Sequence, residues 1–467
     1  MPIDLRLDAG EVALCTDLYE LTVSAAFFEH AMNEQAAFEL ALRRMPPNRG
    51  FMLAAGVERL LEALEAYHFD AAAIAYLESL KIFKPAFLDY LARFHFTGDV
   101  RALPEGTLFF AGEPILEIHA PLIEGQIIET LVLNQFGFAA MAATKAARCV
   151  GVAQGRRVID FGARRAQGAD GALIAARSSY LAGFAGTASL LAGQRYGIPV
   201  FGTMSHSFVM AHENERAAFE NFAASFSAPA TILADTYDTV RGVENAAVVG
   251  VKLREAGSKL AAIRLDSGDL QGLAVRARRI LDHHGLGDVA IFASGNLDEY
   301  RIAELLSAHA PIDGFGVGTA LAVSDDAPAG DFTYKLVEYK EQPRFKMSAG
   351  KVSIPGRKQI FRASNAAGEF TGDLVGAIDE SAATVARGLK LPAAQVNPML
   401  EVQMEHGVRK PPRPGLNDSR ARAAAALAKL DRRHRQIRKP LEYSVRQSAA
   451  INATVISERV RADRRQD

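Results

Sequence analysis

The spacing of apolar residues in the first 120 positions predicts a mixture of helices and short strands. Residues 16–32 carry Leu18, Leu21, Ala25 and Phe28 at helical intervals, which predicts an amphipathic helix. AAFELALRR alternates like a strand and leads into the turn PPNRG, after which MLAAGVERLLEALEAY returns to helical spacing. From Gly98 to His119 the runs VRAL, TLFF and PILEIHA predict a small sheet. The segment 126–150 predicts one long helix or two in succession.

A repeated strand and helix pattern follows from residue 157. Six short apolar runs end in polar or glycine-rich residues and are each followed by a helical stretch: VIDFGARR, IPVFGTMSH, TILADTYDT, AAIRLDSGD, VAIFASGN and GFGVGT. This spacing is typical of the βα units of a parallel barrel or an open sheet. We predict the barrel, because polar residues follow every strand at its carboxyl end, but a doubly wound sheet would give a similar pattern.

The pattern of apolar and polar residues changes from Lys335 onward. KLVEYKEQPRFKMSAGKVSIPGRKQIFR alternates like an antiparallel meander, and RKPPRPG is a stiff connector. The tail that follows is basic, and we predict a solvated helix from Asp418 to Lys439. The predicted domains are the N-terminal part of a sandwich (1–125), the barrel (126–345), a return to the sandwich (346–408) and the basic segment (409–467).

Composition narrows the class of protein. The chain has 467 residues, 49% of them apolar, and a formal charge of −1. This length predicts two packed units, and the balanced charge argues against a dedicated nucleic-acid binder. Cys15 and Cys149 are too few for a disulfide framework or a cysteine-based structural zinc site. We therefore expect a cytoplasmic enzyme without a membrane span or a structural metal.

The strand ends predict an anionic ligand. If the six ends meet at one mouth, it contains arginines, carboxylates and a histidine beside the glycines of GFGVGT: Arg164, Arg165, His206, Asp235, Asp238, Arg264, Asp266 and Asp269. Arginines bind phosphate or carboxylate in pairs of hydrogen bonds, and glycine-rich turns offer backbone N–H groups to phosphate. Carboxylates beside these donors imply a hard cation, so we predict a phosphorylated sugar with Mg²⁺.

Each of these residues also has a structural interpretation. Asp266 and Asp269 could be turn or helix-capping residues, and Asp235 and Asp238 could cap the following helix. His206 alone would more often be a hydrogen-bonded structural histidine. GFGVGT lacks the spacing of a dinucleotide-binding fingerprint. The recurrence of such residues at six strand ends favours the functional interpretation.

Eleven strings carry a resemblance to one enzyme family. They run in the family's order from residue 16 to residue 336: TDLYELT, FELALRRMPPNRGF, VRALPEGT, EPILEI, ATKAAR, DFGARRAQG, GTMSHSFV, DTYDT, RLDSGDL, FGVGT and YKL. On these motifs the chain resembles nicotinate phosphoribosyltransferase. The resemblance implies an irregular α/β barrel of the type II phosphoribosyltransferase kind with an α/β sandwich domain.

The resemblance also implies an activity. The family joins nicotinate to phosphoribosyl pyrophosphate, gives nicotinate mononucleotide and pyrophosphate, and couples this step of NAD biosynthesis to ATP hydrolysis through a phosphohistidine. The matching histidine is His206. Nicotinate, phosphoribosyl pyrophosphate and ATP are thus the expected small-molecule partners, with Mg²⁺ as cofactor, and a homodimer is the expected assembly.

Further roles transfer by position. Tyr19, Thr203 and Arg264 match nicotinate contacts, with Tyr19 expected to reach a neighbouring subunit's site. Phe161 could stack on the pyridine ring, and Arg164 is placed to meet anionic groups. Asp266 matches a residue that holds ribose hydroxyls, while Gly316, Gly318 and Thr319 match the 5-phosphate site. Asp235 and Asp269 remain possible metal or ribose contacts.

Two alternatives stay open at this point. One is a sister phosphoribosyltransferase that uses nicotinamide or quinolinate. The other, from a different class, is a degenerate paralogue that binds nucleotides as a sensor; it would be expected to lose His206, Arg264 or Asp266, and all three are present.

Overall fold

The computed structural model describes residues 9–346 and 353–463, and these form two compact units. Unit 1 contains the described residues up to Met141 and from Ala327 onward, and unit 2 is Ala142–Asp326. Residues 126–141 and 327–345, which the sequence assigned to the barrel, belong to unit 1 in this division. Within the described ranges, no helix is both long enough and apolar enough to cross a lipid bilayer.

The first part of the chain alternates helices with strands, and its last helix, α7 (Glu129–Val152), begins in unit 1 and ends in unit 2. Two adjacent helices cover the segment for which the sequence allowed either one helix or two. The elements are α1 (Ala9–Leu14), α2 (Leu18–Glu29), β1 (Gln35–Leu42), β2 (Met52–Leu53), α3 (Val57–Glu65), α4 (Ala71–Ser79), α5 (Pro85–Leu91), β3 (Asp99–Ala102), β4 (Leu108–Phe109), β5 (Pro114–Pro121), α6 (Leu122–Ile127) and α7 (Glu129–Val152).

Unit 2 consists of strands that alternate with helices. Its elements are β6 (Arg157–Asp160), a 3₁₀ turn (Ala163–Arg165), α8 (Gly168–Leu181), β7 (Gly186–Thr187), α9 (Leu190–Tyr196), α10 (His206–Met210), α11 (Glu215–Ala224), β8 (Ala230–Leu233), α12 (Thr239–Glu255), β9 (Leu260–Leu265), α13 (Leu270–His283), β10 (Ala290–Ala293), α14 (Glu299–Ser307), β11 (Gly314–Val317) and α15 (Thr319–Ala322).

The strands of unit 2 form one parallel sheet in the order β7-β6-β11-β10-β9-β8. Residues Ile263, Leu265, Ile291, Phe315 and Val317 are buried in it. Strands buried on both faces read as continuous apolar runs, which is why this pattern was visible in the sequence. Among the described strands β7 and β8 form the two edges, so the barrel is irregular.

One of the six predicted strands is wrong. IPVF forms an isolated parallel bridge from Val200 to Thr187, and the strand beside β6 is Gly186–Thr187. Pro199 has no N–H to donate to a ladder, although its carbonyl accepts from the Thr187 N–H at 3.0 Å. Val200 is also 49% exposed, so the apolar run is less buried than a central strand.

The rest of the chain completes unit 1. Its elements are β12 (Phe332–Tyr339), β13 (Gln342–Pro343), β14 (Lys358–Ser364), β15 (Phe370–Ala377), α16 (Ala382–Leu389), a 3₁₀ turn (Ala393–Gln395), β16 (Val396–Pro398), β17 (Glu401–Glu405), β18 (Val408–Arg409), α17 (Leu416–Lys429), β19 (Val445–Gln447) and α18 (Ala449–Asp463).

Unit 1 contains sheets from distant parts of the chain. Within the described ranges they are a seven-stranded sheet (β13-β12-β1-β5-β3-β17-β18), a four-stranded sheet (β16-β14-β15-β19) and the pair β2-β4. Phe38 of β1 stacks on Tyr334 of β12 with ring centroids 5.1 Å apart. Because β12 pairs with β1, residues after 327 return to the N-terminal sheet.

The structure corrects the predicted meander and the predicted tail helix. Strands β12 and β13 pair with each other, but β14 belongs to the four-stranded sheet, and residues 347–352 between them lie outside the described residues. Helix α17 ends at Lys429 rather than at Lys439. Buried Leu430 is extended there, and the Asp431 carboxylate accepts from the Arg433 N–H at 2.7 Å, which favours a turn over another helical residue.

Candidate functional site

The parallel register of unit 2 brings the polar strand ends to one edge of the sheet. Arg264 of β9 lies opposite Leu233 of β8 and Phe292 of β10, and Asp160 of β6 lies opposite Val317 of β11. The residues that follow these strands, including Asp235, Asp266 and Ser294, are therefore neighbours. Active sites of parallel α/β folds lie at this carboxyl edge.

Arg264 is the centre of a hydrogen-bond network in unit 2. Its Nη1 donates to Thr203 Oγ1 at 3.0 Å, its Nη2 to Asp266 Oδ1 at 2.6 Å and its Nε to Ser294 Oγ at 2.7 Å. Ser294 in turn donates to Asp266 Oδ1. The Arg264 side chain is thus held in one orientation by Thr203, by Asp266 at the end of its own strand and by Ser294 at the end of the neighbouring strand.

Asp266 keeps one oxygen available for a ligand. The bonds from Arg264 and Ser294 both reach Oδ1, and no described group donates to Oδ2. Burial raises the pKa of Asp266, but the Ser294 hydrogen bond and the charges of Arg264 and His206 outweigh it, so the pKa is lower than usual. The carboxylate is therefore ionised at neutral pH and suited to hydroxyl groups or a cation.

Asp235 is a second carboxylate at the same edge. Its Oδ2 accepts from the Asp266 N–H at 3.1 Å and from the Ser267 hydroxyl. Its Oδ1 is buried and has no hydrogen-bond partner among the described residues. A buried carboxylate oxygen without a donor is costly, which points to a ligand or cation as the missing partner. Asp238, by contrast, caps α12 through the Arg241 N–H, as its structural interpretation predicted.

The aromatic ring of Phe161 lies beside the guanidinium of Arg264. The Arg264 guanidinium carbon lies 5.2 Å from the centroid of the Phe161 ring, and Phe161 packs on Phe292 at 5.9 Å. A Cβ on Gly316 would come within 2.5 Å of the Phe161 ring. Gly316 therefore leaves the space that this ring occupies, which is a different role from the phosphate contact that the resemblance implies.

His206 begins α10 and is half-buried. Its Nδ1 lies 3.1 Å from Thr236 Oγ1, and when the ring is protonated its charge helps to lower the pKa of Asp266. If Nδ1 carries the proton and donates to Thr236, Nε2 has the free lone pair. The geometry thus leaves one ring nitrogen for chemistry.

Four predicted residues lie outside this network. Gly318 is half-exposed, while Arg164, Asp269 and Thr319 are exposed, and within the described ranges no hydrogen bond links the side chains of these three to the Arg264 network. Asp269 precedes α13 without a side-chain cap bond. Their roles stay predictions.

Tyr19 lies in unit 1, on α2. It is 47% exposed, which differs from the core aromatic that its position on an amphipathic helix would otherwise suggest. Partial burial, followed by the nearby charges of Glu129 and Glu20, raises the pKa of its phenol well above the usual value. The hydroxyl is therefore protonated and able to donate a hydrogen bond.

Two functional residues were missed at the sequence level. Ser294 bridges Arg264 and Asp266 and is buried; its position in ASGN, directly after a strand, was the available signal. Asp160 is also buried and holds the turn after β6, accepting from Gly162 N–H and from Thr187 Oγ1 at 2.7 Å each. Burial raises the pKa of Asp160.

A cavity of about 530 Å³ opens beside the network. The turns after β9 and β10 line it together with the start of α14: Asp266, Ser267, Gly268, Leu270, Gly295, Asn296, Asp298, Tyr300, Arg301 and Glu304. The two turns approach closely, because a Cβ on Gly295 would lie 1.9 Å from the Asp266 carbonyl oxygen and the Gly295 φ is +88°.

The carboxylates fit a magnesium ion that a ligand completes. Among the described residues there is no group of three or more His, Cys, Asp or Glu side chains that could hold a metal alone. Mg²⁺ usually takes one or two carboxylates and fills its other positions with water and substrate phosphates. The unpartnered oxygens of Asp235 and Asp266 supply that number.

Sequence models of one family match most of the chain. They are described as the nicotinate phosphoribosyltransferase (NAPRTase) N-terminal domain, the NAPRTase family and the nicotinate phosphoribosyltransferase C-terminal domain, and they match residues 14–136, 156–344 and 357–454 respectively.

Individual relatives agree with these matches. The chain is 52% identical to nicotinate phosphoribosyltransferase pncB2 of Mycobacterium tuberculosis over 78% of each chain. It is 32% identical to human nicotinate phosphoribosyltransferase over 97% of this chain and 98% of the human one.

Solved structures confirm the predicted fold. The crystal structure of human nicotinic acid phosphoribosyltransferase superposes with a TM-score of 0.84 and 31% identity, covering 95% of this chain and 99% of the human chain. Nicotinate-nucleotide pyrophosphorylase from Pyrococcus furiosus superposes with a TM-score of 0.73 and 25% identity over 92% and 99%. An irregular parallel α/β barrel with an α/β sandwich domain is thus confirmed, and the chain belongs to the nicotinate phosphoribosyltransferase family.

Proposed function

We propose that this chain joins nicotinate to 5-phosphoribosyl 1-pyrophosphate, giving nicotinate mononucleotide and pyrophosphate in NAD biosynthesis. The observation that carries the proposal is the Arg264 network beside Phe161. A fixed guanidinium against an aromatic face suits a flat aromatic carboxylate, because one group neutralises the charge and the other stacks on the ring.

The remaining residues suit the sugar phosphate. Asp266 Oδ2 and Asp235 Oδ1 accept from ribose hydroxyls or hold Mg²⁺, and the exposed turn Gly318–Thr319 takes the 5-phosphate. Arg164 and Asp269 are exposed and meet the pyrophosphate end or its cation. Thr203 helps Arg264 to orient the nicotinate carboxylate, since it accepts from the same guanidinium.

The reaction needs charge stabilisation rather than a base. The ribose C1–O bond breaks with its electrons leaving on pyrophosphate, and the pyridine nitrogen lone pair forms the new C1–N bond. We assign Asp266 to the stabilisation of the positive charge that develops at C1, and Arg164 to the stabilisation of the departing anion. Mg²⁺, when bound, neutralises pyrophosphate charge. The pyridine nitrogen carries no proton to remove, so no general base is required.

ATP coupling is assigned to His206. The Nε2 lone pair attacks the γ-phosphorus of ATP, the bond to the bridging oxygen breaks, and ADP leaves. Support comes from the Thr236 contact at Nδ1, which leaves the Nε2 lone pair available in the tautomer whose Nδ1–H donates to Thr236, and from the proximity of His206 to Asp266. Hydrolysis of the N-phosphoryl group then returns His206 to its starting state in every cycle.

We propose a homodimer located in the cytoplasm. Tyr19 is exposed and protonated, which suits a contact with a neighbouring subunit's ligand. Unit 2 also exposes Leu190, Val200 and Met210, apolar side chains that a second copy would cover. Both cysteines are free, in keeping with a reducing compartment. A chain that is monomeric and fully active in dilute solution, measured by light scattering and assay, would contradict the dimer.

Product analysis tests the reaction. The chain is incubated with phosphoribosyl pyrophosphate, Mg²⁺ and either nicotinate or nicotinamide, with and without ATP, and products are separated by chromatography. We expect nicotinate mononucleotide and pyrophosphate in equal amounts, with more product when ATP is present. Formation of a mononucleotide with nicotinamide but not with nicotinate, or with neither base, would overturn the proposal.

A variant tests the histidine. His206→Ala should lose the ATP-dependent increase and incorporation of label from γ-³²P-ATP, while some uncoupled transfer continues. His212→Ala is the matched control, because His212 is also half-buried and its Nδ1 bonds only the Phe208 carbonyl of the preceding turn. Retained coupling in His206→Ala would show that another residue accepts the phosphoryl group.

A further inference from the structure

A fully buried lysine in unit 2 has three carboxylate partners. Lys145 of α7 is 0% exposed, and its Nζ lies 2.8 Å from Glu299, 2.9 Å from Asp325 and 3.1 Å from Asp326. A second cation reinforces the cluster, because Arg148, one turn further along α7, donates from Nε to Glu299 Oε1 at 2.8 Å. We call these five residues the Lys145 cluster.

The ammonium stays charged despite its burial. Burial alone would lower the pKa of Lys145, but the charges and hydrogen bonds of Glu299, Asp325 and Asp326 outweigh it, so the pKa is higher than usual. Buried ion pairs are rarely a net gain in stability over apolar residues of the same volume. Stability alone therefore explains the cluster poorly, and a role in geometry becomes the better explanation.

Glu299 connects the cluster to the turn after β10. It is the first residue of α14, directly after the turn that contains Ser294, Gly295 and Asn296. The neighbouring Tyr300, whose hydroxyl accepts from Arg148 at 2.9 Å, lines the cavity beside Asp266. The cluster thus fixes the end of the turn from which Ser294 bridges Arg264 and Asp266.

Asp325 and Asp326 connect the same cluster to the turn after β11. They lie just beyond α15, which begins at Thr319 of the GVGT turn. The Asp325 N–H bonds the Ala320 carbonyl at 3.2 Å, and the Val323 N–H bonds the Thr319 carbonyl at 3.2 Å. The short helix α15 therefore links the segment that carries these two aspartates to the Gly318–Thr319 turn.

We propose that Lys145 is a positioning residue that holds the turns after β10 and β11 in register for phosphoribosyl pyrophosphate. The inference rests on the proposed function, in which Gly318 and Thr319 take the 5-phosphate and Asp266 the ribose. Lys145 itself touches no substrate. It acts by tying Glu299, at the end of the turn after β10, to Asp325 and Asp326, just beyond the short helix that follows the turn after β11. Its loss should therefore affect the sugar phosphate more than nicotinate, because Arg264 keeps Thr203 and Asp266 as partners.

Steady-state kinetics of Lys145→Met test this role. Methionine keeps the length and volume of the side chain and removes the charge. We expect the KM for phosphoribosyl pyrophosphate to rise by roughly tenfold, because small displacements of binding groups weaken several contacts together. The KM for nicotinate should rise less, because Arg264 keeps Thr203 and Asp266 as partners even when the turn that carries Ser294 is displaced.

Conservative and control variants separate positioning from general stability. Lys145→Arg restores a cation and should recover most of the affinity for phosphoribosyl pyrophosphate. Leu281→Ala removes a buried side chain from α13 in the same unit and should lower the melting temperature without changing either KM. Should Lys145→Met fail to fold, Asp325→Asn provides the second test, because Asp325 is half-exposed at its side chain and the substitution is nearly isosteric. We expect the same selective rise in KM from it, of smaller size.

The outcomes distinguish this inference from the proposed function. Equal rises in both KM values, or no rise in either, would overturn the positioning role while leaving parental transfer intact. If the parent forms no nicotinate mononucleotide, the proposed function fails. In that case phosphoribosyl pyrophosphate is titrated calorimetrically with parent and Lys145→Met, and equal affinities would overturn the positioning role as well.

Discussion

Two arginine–aspartate pairs with the same contact distance have opposite surroundings in this protein. Arg264 Nη2 lies 2.6 Å from Asp266 in unit 2, and Arg362 Nη2 lies 2.6 Å from Asp373 in unit 1. The Arg362 pair is closed: Arg362 Nε also bonds Asp373, the Tyr443 hydroxyl donates to Asp373 at 3.0 Å, and both side chains are buried. The Arg264 pair is partly exposed and keeps Asp266 Oδ2 without a described donor.

The difference teaches how to separate structural charges from functional ones. In the closed pair both oxygens of Asp373 accept hydrogen bonds from protein groups, so the carboxylate has no oxygen left for a ligand, although Arg362 Nη1 has no hydrogen-bond partner among the described residues. In the open pair the arginine orientation is fixed by Ser294 and Thr203, yet one carboxylate oxygen remains available. A preorganised binding site requires polar groups whose orientation is fixed by the protein but whose hydrogen-bonding capacity is not fully used by it.

The largest expected effect is on the closed pair. Arg362→Met should lower the free energy of unfolding by about 3–5 kcal/mol, because it leaves the buried Asp373 without its cation. Arg254→Met, in an exposed pair with Asp288, is the matched control and should cost at most about 1 kcal/mol. Urea unfolding measures both. A small decrease in the free energy of unfolding for Arg362→Met, or a changed KM for nicotinate in the folded variant, would contradict a purely structural role for Arg362.

The open pair should affect activity more than stability. Arg264→Gln is expected to lower kcat/KM for nicotinate by about two orders of magnitude, roughly 3 kcal/mol, because the carboxylate of the substrate loses its cation. Arg278→Gln serves as the control in the same unit: Arg278 is partly buried and donates to the Leu286 and Val289 carbonyls, away from the network. Comparable losses in both variants would show that Arg264 acts through stability.

A smaller effect is expected from the bridging serine. Ser294→Ala removes the acceptor of Arg264 Nε and a donor to Asp266, which should cost about 1–2 kcal/mol in kcat/KM. Ser179→Ala is the control and should leave kcat/KM unchanged, because the Ser179 hydroxyl is buried and donates to the Ala176 carbonyl within α8. An unaltered kcat/KM in Ser294→Ala would mean that Thr203 and Asp266 suffice to orient Arg264.

The smallest expected effect is on the pH dependence of stability, and it arises from the carboxyl group of Glu113 beside the Arg362–Asp373 pair. Burial raises the pKa of Glu113 well above its usual value, and the charge of Asp373 and a hydrogen bond to it raise it further. A raised folded pKa means that the folded state binds the proton more tightly, so this group stabilises the fold at low pH and less as pH rises through the folded pKa.

Glu113→Gln mimics the protonated side chain. It should stay within about 1 kcal/mol of the parent at pH 5 and become more stable relative to the parent as pH increases. Urea unfolding between pH 5 and pH 8 measures this trend. A variant that loses stability relative to the parent with rising pH would show that Glu113 is ionised in the folded protein.

Local patterns predicted the strands of unit 2 well and the assembly of unit 1 poorly. Buried parallel strands appear as apolar runs that end in polar residues, so β6, β8, β9, β10 and β11 were visible. The exception is IPVF, because its proline disfavours a strand but leaves the pattern of apolar residues unchanged. In unit 1, β12 and β14 read as one meander because both alternate, and only their partners β1 and β15 separate them.

The same limit applies to the site. The sequence predicted roles for Arg264, Asp266, Asp235, Phe161, Thr203 and His206. The structure joins the first five by direct contacts or a short chain of them, and it places His206 close enough to lower the pKa of Asp266 when the ring is protonated. Ser294 was missed because a serine after a strand is ordinary in any loop. The phosphate contacts of Gly318 and Thr319 and the role of Tyr19 remain proposals.

By itself the sequence determined the class of fold, the family and the residue types at the strand ends, because βα periodicity and family motifs are local properties of the chain. Tertiary structure alone decided which carboxylate oxygens stay unpartnered, that Gly316 makes room for Phe161, and that Lys145 ties two turns together. These features depend on distances between segments far apart in the chain, such as the separation of Lys145 from Asp326, and no pattern of neighbouring residues encodes such a distance.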